Sequence, residues 1–165
     1  MIQFLRIFST KFILNVATLG PLGRSRFLPG TWGSLAGVIG YTVAFWNITF
    51  SQFFIRFSLL TFIGLLFCDE AERRMGQKDP SSIILDEFCA MPLCFLGIER
   101  FLGQVAVWKI LLCGFCVFRL LDVLKPLGIR SLERISGGAG IMADDIAAAA
   151  VTCLALHVIV PAVLV

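Results

Sequence analysis

Apolar residues run through this chain in long blocks broken by short polar stretches, and the block lengths predict helices. Residues 35–55 and 146–165 carry no Asp, Glu, Lys or Arg over 21 and 20 positions. At about 1.5 Å per residue, each is long enough as a helix to cross a bilayer core of roughly 30 Å. Residues 101–118 form an 18-residue run interrupted only by Lys109. It spans at a penalty, if Lys109 pairs or snorkels. The runs at 57–68 and 88–98, with 12 and 11 residues, are short for spans and read as packed helices or half-helices. No run alternates like barrel strands, and backbone in lipid must satisfy its own hydrogen bonds. The expected fold class is therefore all-α: a compact helical, membrane-associated domain with two to four transmembrane or deeply buried helices. A length of 165 residues fits one domain over 1–165.

Local signals add detail. Asp79-Pro80 predicts a helix start, a cap followed by proline at the first helical position. Lys125-Pro126 predicts a helix end, because the residue before proline is biased out of the α region. Gly33, Gly37 and Gly40, and the alanines at 147–150, read as close-packing positions. Residues 1–20 carry Arg6 and Lys11 inside their apolar pattern and no clear cleavage site, so no signal peptide is expected.

Composition strengthens the membrane reading. The chain is 58% hydrophobic with mean hydropathy +0.92, and only 15% of its residues are charged, against about 25% in soluble proteins. A net charge of +3 without a concentrated basic tail gives no reason to expect a nucleic-acid partner. All six cysteines sit in or beside apolar runs and read as free thiols that behave as small hydrophobes. Cys113 and Cys116 have redox or zinc spacing but lack a second ligand pair. Basic residues gather at Arg24/Arg26, Arg73/Arg74/Lys78 and within 119–134. The positive-inside rule puts those loops in the cytoplasm.

The acids carry the candidate chemistry. Most fall into three short clusters, each against an apolar run: Asp79 with Asp86 and Glu87; Asp122 between Arg119 and Lys125; and Asp144 and Asp145 after Gly137, Gly138 and Gly140. An ionised group beside or within apolar surroundings costs several kcal/mol, on the order of the figures for unpaired buried charges, unless it is paired or metal-bound. Acids mixed with Arg, Lys and glycine-rich turns suggest a divalent metal holding a phosphate, and magnesium favours such oxygen ligands. Asp86, Glu87, Asp122, Asp144 and Asp145 are the candidate metal ligands and catalytic acids, with Asp79 secondary. Arg119 and Lys125 are candidates for phosphate oxygens, and Arg130 and Arg134 are weaker candidates for an anionic head group. The glycine-rich turn at Gly137 and Gly138 suits an anion at a helix N-terminus. Thr31 and Ser34, in Pro29-Gly30-Thr31-Trp32-Gly33-Ser34, either cap a helix or touch phosphate. Ordinary readings stand beside these: helix capping for Asp86/Glu87 and Asp144/Asp145, and a local ion pair for Arg119 with Asp122.

Several phosphatase chemistries fall away. One histidine, His157, deep in the last apolar run, disfavours a histidine nucleophile. No Asp-x-Asp motif is present. The two Cys-x5-Arg matches, from Cys94 and Cys113, lack a glycine-rich cradle and an activating histidine.

Four blocks in order resemble the phosphatidylglycerophosphatase A family: Pro29 to Ser34, Lys78 to Glu87, Phe118 to Pro126, and Gly137 to Asp145. The resemblance covers residues from about 17 to 152. It implies an all-helical, Mg2+-dependent phosphatase of bacterial phospholipid synthesis. Its substrate would be phosphatidylglycerophosphate in the bilayer; its products would be phosphatidylglycerol and inorganic phosphate. It also implies the bacterial inner membrane, with the active site facing the cytoplasm. Ala90, Leu127-Gly128 and Glu133 depart from the family's usual residues, while the acids, Arg119 and Lys125 are kept. The rival from another class is a small membrane transporter or assembly subunit using buried acids for ion passage. A phosphatase for a different anionic lipid is the intermediate alternative.

Overall fold

Asn47 and Thr49 break the first long apolar run. The computed structural model describes residues 5, 7–126, 128–135 and 137–164. In it α1 (Thr10–Ala17) is followed by α2 (Pro29–Ala44) and α3 (Phe50–Met75). The expected span at 35–55 is thus divided between two helices. Asn47 turns the chain at φ 55°. Thr49 caps α3 through a reciprocal capping box with Gln52, whose side chain accepts from the Thr49 amide at 3.0 Å. This Thr-x-x-Gln signal lies inside the uncharged run and outweighs its hydropathy. The run at 57–68 is absorbed into α3, a helix of 26 residues.

The other elements are α4 (Leu85–Cys94), α5 (Val107–Leu124) and α6 (Gly138–Ile159), whose chain continues as a wider turn over Val160–Leu164. The expected span at 101–118 also breaks. A 3-10 turn at Ile98–Phe101 and Gly103 at φ 88° precede α5. Two helices are long and apolar enough to cross a membrane, Phe50–Met75 and Gly138–Val163. Among the described residues there is no strand, only one isolated bridge between Leu102 and Val105. The all-helical expectation holds, and two candidate spans lie at the low end of the expected range.

Helix α4 is the hub. It is short, mostly buried, and packs on α2, α3 and α6. Its approach to α2 depends on a glycine stripe, Gly30, Gly33, Gly37 and Gly40, at helical spacing. A Cβ on Gly37 would lie 2.5 Å from Met91 Cβ, and one on Gly40 2.9 Å from the Phe88 ring. With no side chains on this face of α2, the Phe88 and Met91 side chains of α4 pack directly against its backbone. The apolar core on one side of α4 contains Tyr41, Phe95, Ile110, Phe118 and Leu156. On the other side, Ile13, Cys68, Cys89 and Met142 form a second cluster. All six cysteines are free.

The Asp79-Pro80 helix start is not what forms. Asp79 sits in left-handed backbone at φ 45°, where an extended cap conformation was expected. A turn follows, in which the Ile83 amide donates to the Pro80 carbonyl at 2.8 Å and the Ile84 amide donates to the Ala17 carbonyl at 3.1 Å. Helix α4 therefore begins at Leu85, and Asp86 and Glu87 stand in its first turn, not two turns in.

Candidate active site

The N-terminal ends of α2, α4 and α6 and the C-terminal end of α5 meet at one pole of the bundle. They enclose a cleft of about 300 Å3. Its walls carry Asp79, Asp86, Glu87, Asp122, Asp144 and Asp145 together with Arg119 and Lys125. The three sequence clusters, up to 66 positions apart between Asp79 and Asp145, converge here. Six carboxyl groups face two basic side chains. As it stands, then, the cleft repels an anionic substrate unless protons or a cation balance the acids.

Each acid is positioned by its helix. Asp144 and Asp145 lie about two turns into α6, beyond the first turn where a helix dipole rewards an acid, and are only 5% and 3% exposed. Capping does not account for them. Asp86 is 7% exposed, at the second position of α4, whose N-cap is Ile84. Asp122 accepts from Arg119 Nη1 at 2.7 Å, and the same nitrogen reaches Glu87 Oε1 at 3.3 Å. The local Arg119–Asp122 pair therefore exists and also ties α5 to α4. Lys125 pairs with Asp144 Oδ2, tying α5 to α6.

Three buried carboxylate oxygens have no hydrogen-bond partner: Asp86 Oδ1, Glu87 Oε2 and Asp144 Oδ1. Leaving such atoms unsatisfied is costly, and hard anionic oxygens of this kind are suited to a divalent cation. Among the described residues, no three His, Cys, Asp or Glu side chains stand close enough together to hold a metal ion by themselves. Water and a substrate phosphate would have to supply the remaining ligands, as is usual for magnesium.

Burial also controls protonation. Desolvation, followed by the Glu87 charge, pushes the Asp86 carboxyl well above the ordinary aspartate range. Desolvation pushes Glu87 from its ordinary 4.5 up to about 8, against the opposing pull of Arg119. In the metal-free protein the folded state therefore keeps a proton that the unfolded chain releases. Stability falls as pH rises from about 4.5 through about 8. Thermal melts of metal-free protein at constant salt check this. A melting temperature that climbs over that interval would contradict the burial of Glu87.

The remaining sequence candidates separate. Ser34 is buried, donates to the Gly30 carbonyl at 2.9 Å and accepts from Arg119 Nη1 at 3.3 Å. It backs Arg119 and does not line the cleft. Thr31 does not line it either; Leu28 is the N-cap of α2 and Pro29 its first residue. Gly138 donates its amide to Asp69 Oδ1 at 3.0 Å. Neither Gly137 nor Gly138 lines the cleft. Arg130 is exposed on the 3-10 turn Ile129–Arg134, outside the cleft lining. The Arg134 side chain lies outside the described residues.

Sequence reasoning missed the backbone. Leu28, Asp79 and Lys125, three of the five non-glycine residues at positive φ among the described residues, all line the cleft. Backbone strain of this kind concentrates at functional sites. At Leu28 and Lys125 it left no sequence signal, because neither residue is a usual left-handed former; aspartate visits that region more readily. Gly30 was also missed as a wall residue. A Cβ there would stand 2.0 Å from Glu87 Oε1.

The family model for Phosphatidylglycerophosphatase A matches residues 15–160. A Phosphatidylglycerophosphatase A of Haemophilus influenzae is 37% identical over 123 residues, covering 73% of this chain and 72% of the relative. One from Escherichia coli is 34% identical over 142 residues, covering 83% and 77%. A Bacteroides thetaiotaomicron protein named "Putative phosphatidylinositol-3-phosphatase" is 31% identical over 130 residues, covering 76% and 79%. No solved structure matches. With the family model covering the helices that build the acid cleft, the chain belongs to the phosphatidylglycerophosphatase A family, whose members are phosphoric monoester hydrolases.

Proposed function

We propose that this protein is a Mg2+-dependent lipid phosphatase of bacterial phospholipid synthesis. It hydrolyses phosphatidylglycerophosphate to phosphatidylglycerol and inorganic phosphate. The observation that carries the reading is the gathering of Asp86, Glu87, Asp122, Asp144 and Asp145 with Arg119 and Lys125 along the walls of one cleft.

Asp86, Glu87, Asp122, Asp144 and Asp145 are the residues that would hold magnesium, with water and substrate phosphate completing its shell. When bound, magnesium would polarise the phosphate and favour an attacking hydroxide. Arg119 and Lys125 exchange their acid partners for phosphate oxygens as substrate enters, since both are poised on charge pairs at the cleft. Asp86 or Glu87, whichever does not hold the metal, is placed on the cleft wall to accept the proton of the attacking water. The reaction needs no covalent enzyme intermediate. Ser34 holds Arg119 from behind.

The placement of charge supports a location. Arg73, Arg74, Lys78 and Lys125 stand at the same pole as the cleft, where α3 and α5 end. By the positive-inside rule that pole faces the cytoplasm, with α3 and α6 in the inner membrane. The acyl chains of the phospholipid remain in the bilayer while its head group reaches the cleft; no nucleic acid is involved. Among the described residues the buried acids are Asp86, Asp144 and Asp145 at the cleft and Glu70, which is paired with Arg73 and Arg74 near the end of α3. That distribution favours hydrolysis over ion passage through the bundle.

Phosphate release from a panel of anionic lipids in detergent micelles, with and without magnesium, tests the reading. The expected result is magnesium-dependent release from phosphatidylglycerophosphate, at least tenfold faster than from phosphatidylinositol 3-phosphate or phosphatidic acid. A preference for phosphatidylinositol 3-phosphate would keep the chemistry and replace the substrate. No release from any of them by folded protein would remove the phosphatase reading.

A further inference from the structure

The last turns of α3 carry Asp69 and Glu72, three residues apart and outside the cleft lining. Residues at this spacing share a helix face, and each holds a different wall of the site. Asp69 Oδ1 accepts from the Gly138 amide at 3.0 Å. Glu72 Oε1 accepts from the Asp79 amide at 3.0 Å.

The Asp69 contact supplies a cap that α6 lacks. The N-cap of α6 is Gly137, which has no side chain to satisfy the first helical amides. Asp69 satisfies one of them from a neighbouring helix. The fit is tight: a Cβ on Gly137 would meet Asp69 Oδ1 at 2.3 Å, and one on Gly138 would meet the Leu65 carbonyl at 2.3 Å. The glycines are thus explained by contact with α3. Six and seven residues further along α6, about 10 Å at 1.5 Å per residue, stand Asp144 and Asp145. The start of α6 fixes their height and rotation. At the second wall, Glu72 holds Asp79 by its backbone amide while that residue is at φ 45°.

We propose that Asp69 and Glu72 are positioning residues: a strap on α3 that holds the α6 acids and Asp79 in register with α4. This rests on the phosphatase reading for its catalytic consequence, but not for the contacts themselves. The strap needs an acceptor oxygen at each position and does not need a charge, so the amide variants should rescue what the alanine variants lose.

The test compares Asp69→Ala with Asp69→Asn, and Glu72→Ala with Glu72→Gln, in detergent-solubilised full-length protein. Amide hydrogen exchange is followed at residues 138–145 and at Asp79, and kcat and KM for phosphate release are measured per folded enzyme. Asp69→Ala is expected to speed exchange in the first turn of α6 at least tenfold. It should lower kcat about tenfold with KM within twofold, while Asp69→Asn stays within about threefold of wild type in both. The Glu72 pair should behave likewise, with the exchange change at Asp79. Unchanged exchange in both alanine variants overturns the proposal. Faster exchange with unchanged kcat reduces the strap to a structural cap and also overturns it. Amide variants as impaired as alanine show a requirement for charge and overturn the acceptor role. If wild type releases no phosphate from any lipid, the phosphatase reading fails, and the exchange comparison alone then decides whether the strap exists.

Discussion

Asp86→Asn is expected to abolish magnesium-dependent phosphate release, with a loss of about 10²–10⁴-fold, while raising the stability of the metal-free protein. The two effects have one cause. Asp86 is 7% exposed and its Oδ1 has no hydrogen-bond partner. It lies beside Glu87 on the first turn of α4. Keeping an anion there costs folding energy, and that energy is recovered when a cation or proton arrives. Asparagine preserves the shape and removes the charge. It should therefore bind a hard cation poorly and fold more easily without one. Loss of an acid that takes part in the chemistry typically costs on the order of 10²–10⁴ in rate. Thermal melts in chelator and phosphate-release assays in magnesium check both halves. An inactive variant that is also less stable without metal would show that Asp86 supports the fold. An active variant would remove it from the site.

Gly30→Ala is expected to cost about 10²-fold in kcat/KM, although the change adds a single methyl group. A Cβ at this position would lie 2.0 Å from Glu87 Oε1 and 3.1 Å from Arg119 Nη1. Either the Glu87 carboxylate swings away, breaking its contact with Arg119, or α2 and α4 separate. A displacement of about 1 Å at reacting groups commonly costs about 10² in rate. Overpacking of this kind also destabilises by about 1–3 kcal/mol. Gly37→Ala provides the comparison. Its Cβ would meet Met91 Cβ at 2.5 Å, two turns further along the same interface. It should destabilise the protein to a similar degree, with a much smaller loss of turnover per folded molecule. Equal turnover losses in the two variants would mean that the whole α2–α4 interface controls the site and that Gly30 has no special place.

The sequence by itself determined the helical class, the membrane character and the identity of the polar residues in the cleft. Long apolar runs leave helices as the economical structure in lipid. Acids kept beside those runs stand out because burying them is expensive. Asp86, Glu87, Asp122, Asp144 and Asp145 do line one cleft with Arg119 and Lys125. Their roles as metal ligands and phosphate contacts await the experiments above. Hydropathy did not locate the helix ends. The capping box at Thr49 and the glycine turn at Gly103 cut two apparent spans, since a few local hydrogen bonds and one positive φ redirect a chain that remains apolar throughout.

Only the tertiary structure decided which groups are paired and which are left without partners. Arg119 is shared between Glu87 and Asp122, and Lys125 is held by Asp144. The Arg119–Asp122 pair follows from i,i+3 spacing within α5, but the Glu87 and Asp144 pairings depend on the approach of α5 to α4 and α6, which no spacing within one helix encodes. The glycine-rich turn at Gly137 and Gly138 resembles an anion cradle when read along the chain, yet its amide is engaged by Asp69 from α3. The same holds for Asp79, whose left-handed backbone is held by Glu72. A glycine or an acid in sequence declares what it is able to do. Which partner reaches it first is a property of helix packing, because hydrogen bonds and close contacts act over about 3 Å, whereas the residues that make them lie tens of positions apart.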